Sequence, residues 1–297
     1  MLLRSAALVS TRVLSTLVVL ASAVLLASAG HALTTYDIQL DPGMFGSLDQ
    51  DDTAACGGAG EVACGPTAAV NSFVWLQNNY PDIYDNSLIL SATQDHNGDL
   101  VIDEYDDWIE TANALSDAEY MQCTLCNGGT AISDFISGKR QWIEDHVPGV
   151  TVYADQNIHD GTNPMWPTWQ FIYDNLVGEE DVELLVGFYD ADDNRVGGHY
   201  LTLTSFHWED ADDDGLIDFD ETAWIDFIDP QTGQWDQADI FQALLNGTIG
   251  SDYGTGGDVT LTRIESAVKE SPIPEPSTAL LLGGGLALLG ARARRRG

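Results

Sequence analysis

The chain of 297 residues carries 47 Asp and Glu against 11 Lys and Arg, a formal net charge of −36 at pH 7. So acidic a chain repels nucleic acid and anionic bilayer surfaces, which excludes those two partners, and it attracts divalent cations. Six of the eleven bases fall in the two end segments, leaving Lys139, Arg140, Arg195, Arg263 and Lys269 against nearly all the acids.

At the N-terminus, Arg4 and Arg12 precede an apolar stretch over 13–27. Small-residue cleavage sites follow at Ala27-Ser28-Ala29 or Gly30-His31-Ala32. This is the pattern of a secretory signal peptide, so 1–32 is expected to be removed by signal peptidase. Residues 33–270 are then long enough for one domain with a substantial core.

The first chemistry-bearing segment is Ala63-Cys64-Gly65-Pro66-Thr67, which opens a helical pattern through Val70, Phe73, Val74 and Leu76. A cysteine at a helix N-terminus is favoured as thiolate by the macrodipole and the free backbone N–H groups. Those same groups form half of an oxyanion hole, and Pro66 costs nothing in the first turn.

Residues 95–106 carry calcium-loop spacing: Asp95, Asn97, Asp99, the carbonyl of Val101, Asp103 and Asp106. The segment resembles a dockerin-type loop ending in Asp but has Leu100 where the sixth position calls for Gly. A helix is predicted over 104–115, and 94–126 reads as an insertion. Cys123 and Cys126 form a CxxC pair, expected to close as a local disulfide in an oxidising envelope; a Cys56–Cys64 pairing also stays open. Helices are predicted over 131–146 and 167–176, and a buried strand over 182–189. His96, His146, His159 and His207 read as structural or solvated.

Residues 199–208 and 222–228 alternate as strands. Between them, residues 210–221 match the EF-hand calcium loop. Asp210, Asp212 and Asp214 supply oxygens at positions one, three and five. Gly215 makes the turn, Leu216 offers its carbonyl, Ile217 packs inward, Asp218 holds a water and Glu221 closes the site. The loop is expected to cap a β-hairpin, with calcium as the cofactor. The turn at 190–194 reads as a plain turn. A helix is predicted over 236–245 and a last strand over 259–268. The order, helices first and an antiparallel sheet late, is α+β.

The tail joins Pro274-Glu275-Pro276, an apolar run over 278–291 and Arg292, Arg294, Arg295 and Arg296. The run is shorter than the ~20 residues of a permanent span, and the arginines hold its end cytoplasmic. Residues 271–297 resemble the PEP-CTERM sorting signal. The resemblance implies an exosortase-type partner and export to the envelope, outer surface or matrix of a Gram-negative bacterium. It also implies a membrane contact only through the sorting helix.

Three motifs stand in order: Cys64-Gly65-Pro66 at a helix start, Gly198-His199-Tyr200 opening a strand about 135 residues later, and Asp229-Pro230 ending the next strand. Together they resemble the bacteriocin-leader-processing (double-glycine) branch of papain-like cysteine peptidases. The resemblance implies a papain-like fold, a peptide or protein substrate, and a triad in which Cys64 is nucleophile, His199 base then acid, and Asp229 the orienting carboxylate. Asp226 is the alternative orienter, three residues away on the other face of the strand. Such enzymes carry Gln six residues before the cysteine, and here that position is Gly58. Gln50 stands six before Cys56, so either Cys56 is the nucleophile or an insertion lets Gln50 reach the Cys64 site. The alternative to a peptidase is a catalytically inactive calcium-binding surface or matrix protein on the same fold.

Overall fold

The computed structural model describes residues 33–58, 60–124, 128–242 and 248–273. The expected signal peptide, the sorting tail beyond 273 and Cys126 lie outside the described residues. The first half is helical: α1 (Cys64–Asn79), α2 (Glu104–Leu115), α3 (Ile132–His146) and α4 (Trp169–Val177). The second half is mostly strand: β3 (Asp181–Tyr189), β4 (Arg195–Asp210), β5 (Thr222–Asp229), β6 (Gln234–Gln242), β7 (Ile249–Ser251) and β8 (Leu261–Pro272). β1 (Thr34–Gln39) and β2 (Thr151–Asn157) come earlier in the chain. The eight strands make one antiparallel sheet, ordered β1-β4-β3-β8-β7-β6-β5 with β2 on β8. An additional β4–β5 pairing joins the last strand of that path back to its second, so β3 to β8 form a closed circuit.

α1 lies against β4 and is buried almost throughout from Gly65 to Leu76. Thr202 on β4 donates to the Ala68 carbonyl at 2.9 Å, which fixes the helix start against the strand carrying His199. Phe73, Trp75, Leu184, Leu201, Leu203 and Phe227 belong to the core between helix and sheet. At its edge the fully buried Lys139 of α3 reaches three buried carboxylates, Asp181 (3.0 Å), Glu183 and Glu270, tying α3 to β3 and β8.

The predicted helix over 236–245 is corrected: its described part is strand β6. Ala238 and Ile240 point inward while Gln237 and Asp239 are exposed. That is period two rather than 3.6, and pairing with β5 satisfies the backbone. The local Cys123–Cys126 disulfide is also corrected, because Cys123 is bonded to Cys56. This bridge ties the segment before α1 to the loop after α2, leaves Cys64 as a free thiol, and removes Cys56 from the candidate nucleophiles.

Candidate active site and acidic loops

Cys64 is the first residue of α1 and half-buried, and the backbone N–H groups of Gly65 and Tyr200 favour its thiolate. Gly65 is required for close approach: a Cβ there would press to 3.0 Å on Thr130. The Tyr200 hydroxyl donates to the Thr130 carbonyl at 3.2 Å, holding that loop beside the cysteine. The His199 imidazole lies close enough to the Cys64 thiol for each to shift the other's pKa. His199 Nε2 meets Asp229 Oδ1 at 2.8 Å, so the other ring nitrogen is left for sulfur.

The structure therefore brings Cys64, His199 and Asp229 into one chain of contacts at a helix N-terminus. Burial alone pushes the Cys64 thiol up, but His199 and the two backbone N–H groups outweigh it and hold the pKa below its usual 9.0. Burial likewise opposes the imidazolium, yet the Asp229 and Cys64 contacts push His199 up to about 9. Both shifts favour a thiolate–imidazolium pair.

Asp229 is itself held. Gln231 N–H donates to its Oδ1 at 2.8 Å and the Tyr253 hydroxyl to its Oδ2 at 2.8 Å. Tyr253 also lies nearly parallel to the His199 ring, at 6.0 Å between centroids. No sequence pattern marked this tyrosine, which arrives from the turn between β7 and β8. Asp226 faces elsewhere: it accepts from Ser205 and Gln237 at 2.5 and 2.9 Å.

Gln50 is buried beside this site. Its amide donates at 3.1 Å to the Glu61 carbonyl, just before the nucleophile, and at 3.1 Å to Gln231 Oε1. Its backbone N–H donates to the Pro230 carbonyl at 2.7 Å. Gln50 is thus tied to the segment before Cys64 and to the turn after Asp229, with no hydrogen bond to Cys64 among the described residues.

The two acidic loops share one hydrogen-bond scheme. In 210–221, Asp210 Oδ1 accepts from Asp213 N and Oδ2 from Gly215 N. Asp212 Oδ1 accepts from Asp214 N and Asp214 Oδ1 from Leu216 N, while Glu221 accepts from Ala211 N and Asp218 N. In 95–106, Asp95 accepts from Gly98 N and Leu100 N, Asn97 from Asp99 N and Asp99 from Val101 N. Asp106 closes the loop on His96 N, Asn97 N and Asp103 N. The left-handed residues correspond as well, Asp213 (φ 61°) with Gly98 (φ 80°) and Gly215 (φ 77°) with Leu100 (φ 73°). Leu100 thus adopts the Gly backbone at a strain cost of order 1 kcal/mol.

In the first loop, carboxylates of Asp210, Asp212 and Glu221 bring one oxygen each within 4.8 Å of one another, as do Asp212, Asp214 and Asp218. Partial burial, then the charges of Asp214, Glu221 and Asp212, push the Asp218 carboxyl up. Crowded hard oxygens of one charge fit a divalent cation such as calcium. The loop is also tied into the fold, since Trp208 Nε1 donates to Glu221 at 2.8 Å and Trp169 Nε1 to the Gly215 carbonyl at 3.0 Å.

A PEP-CTERM protein-sorting motif matches residues 272–296. It makes the chain an exported, envelope-sorted protein processed by an exosortase-type enzyme. No curated protein matches the chain.

Proposed function

We propose that the domain at 33–270 is an exported cysteine peptidase of papain-like type, hydrolysing peptide or related amide bonds in the envelope or surface matrix of a Gram-negative bacterium. The observation that carries this reading is the Cys64–His199–Asp229 chain, with a free thiol at a helix N-terminus. The Cys64 thiolate attacks the carbonyl carbon, and the oxyanion forms beside the backbone N–H groups at the start of α1 and the Gln50 amide. His199 gives its proton to the departing amine, leaving a thioester on Cys64. It then takes a proton from water, whose oxygen attacks the thioester to release the acid and restore the thiolate. Asp229 keeps the imidazole oriented and its charge compensated.

In this reading Asp210, Asp212, Asp214, Leu216, Asp218 and Glu221 hold one calcium, and Asp95, Asn97, Asp99, Val101 and Asp106 a second. When bound, calcium neutralises the converging carboxylates. The first loop joins β4, which carries His199, to β5, which carries Asp229, so its closure fixes the two strands that set the triad.

A non-catalytic calcium-binding surface protein on the same fold is the second reading. It is favoured by one observation: both Gln50 amide hydrogens already serve Glu61 and Gln231. Site-resolved alkylation separates the two. The mature domain is treated with iodoacetamide near pH 6 and peptide-mapped without reduction. Rapid labelling of Cys64 is the outcome expected for the peptidase; an inert Cys64 leaves only the binding protein.

A further inference from the structure

Beside Cys64 lies a cleft of about 410 Å³ whose walls include Thr130, Leu185, Gly198 and Tyr200. In a chain with 47 acids, no acidic residue among the described ones lines it, whereas Arg195 and His159 do. The cause is in the sheet. Gly187 on β3 and Gly198 on β4 are direct register partners. A Cβ on Gly187 would collide with the Glu265 carboxylate, and one on Gly198 with the Arg195 guanidinium. The facing glycines clear a slot in the sheet surface, and the Arg195–Glu265 pair fills it.

Glu265 is fully buried and its oxygens are saturated. They accept from Arg195 Nε at 2.9 and 3.0 Å and from the Tyr189 hydroxyl at 2.6 Å, with His159 Nε2 at 3.2 Å and a second Arg195 nitrogen at 2.9 Å. Glu265 therefore has nothing left for a ligand. Arg195 does, because a guanidinium carries five N–H donors and this side chain remains 40% exposed. The Thr130 hydroxyl at the same wall is buried without a partner among the described residues. The cleft offers a ligand the remaining guanidinium donors of Arg195 over a short apolar wall.

We propose that this cleft is a specificity pocket for a carboxylate on the peptide substrate, paired by the free edge of Arg195. The carboxylate belongs to an Asp or Glu side chain next to the scissile bond or to the substrate's own C-terminus. The inference rests on the peptidase reading of Cys64. A lysine would meet only Arg195, and an apolar side chain would strip water from the guanidinium and return no hydrogen bond. A site built to bond a polar group rejects the analogue lacking it. Buried Glu265 orients Arg195, and Tyr189 and His159 orient Glu265.

The test uses peptides bearing a thiol-reactive electrophile, with Glu, Gln or Lys at each of the two residues nearest the electrophile. The rate of Cys64 labelling is expressed relative to iodoacetamide on the same protein. The expected result is labelling by a Glu probe roughly tenfold or more faster than by its Gln counterpart, as for one charge-assisted hydrogen bond. Arg195→Lys should retain part of the preference. The neutral double variant Arg195→Gln with Glu265→Gln, which leaves no unpaired buried charge, should lose it. A fluorogenic peptide pair differing only in a C-terminal acid or amide tests the second source. Equal rates for Glu and Gln probes and for the acid and amide pair overturn the pocket while rapid iodoacetamide labelling leaves the peptidase reading standing. A Cys64 inert to iodoacetamide overturns both.

Discussion

The Tyr253 hydroxyl donates to Asp229 Oδ2 at 2.8 Å, on the oxygen that His199 does not use. Asp229 is raised by burial and brought below the usual carboxylate range by His199, the Gln231 N–H and this phenol. Tyr253→Phe keeps the ring beside His199 and removes only the donor. We expect kcat/KM to fall about tenfold through kcat, the size of one hydrogen bond to a charged group. The alkaline limb, set by His199, should move as well, because Asp229 loses a donor and its carboxylate pairs differently with the imidazolium. An unchanged profile would reduce Tyr253 to packing.

The pH dependence follows from the shifts at Cys64 and His199. The reactive pair needs thiolate and imidazolium together, so activity should rise as Cys64 ionises below its usual 9.0 and fall as His199 deprotonates near pH 9. For stability the sign is set by His199, whose folded value of about 9 exceeds its ordinary 6.5. Its contribution is complete below about pH 6.5 and is lost as pH climbs through 9. Comparing Tm of the wild type with His199→Gln between pH 6 and 10 should show the two converging at the alkaline end.

Calcium removal should lower both Tm and activity. At a free calcium concentration a hundredfold above Kd, one site contributes about 2.7 kcal/mol. Asp212→Asn should remove most of the calcium-dependent rise in Tm together with the activity. Asp99→Asn should reduce the rise in Tm and leave turnover less affected, since its loop precedes α2 rather than joining β4 to β5. Chelated protein with full activity would uncouple the first loop from the triad.

Lys139 holds together a buried charge cluster on which stability depends. Its ammonium is fully buried among Asp181, Glu183 and Glu270. Burial disfavours its charge, and the three carboxylates raise its pKa well above the ordinary value. Lys139→Met leaves those acids without a counter-charge and should cost about 3–5 kcal/mol, read from denaturant unfolding. Adding Glu183→Gln and Glu270→Gln should recover much of the loss.

The local chemistry was legible in the chain. Cys64 before an apolar helix and both loop patterns stand out by spacing, while the grouping of Gly198-His199 and Asp229 with Cys64 comes from the resemblance to papain-like peptidases. The residues that reach the site from afar were not legible. Tyr253 and Glu265 sit in segments with no motif, and only the register of β3, β4 and β8 brings them near His199 and Arg195. The disulfide escapes the sequence for the same reason. Cys126 is close in sequence, but the fold carries Cys123 to Cys56, 67 residues away. Strand β6 resembles a helix in sequence because Ile240 and Phe241 follow polar residues at a spacing that suits either period until β5 supplies a partner.

Strand β8 runs to Pro272, where the sorting motif begins, and Ile273 N–H still donates to the Val150 carbonyl at 2.6 Å. Only residues 273–277 separate the sheet from the apolar run at 278, a contour of at most ~18 Å. That leash is shorter than a small domain is wide. On the expectation that the apolar run enters a bilayer, the exosortase-type enzyme works within that short reach of β8, and each added residue there should widen its access.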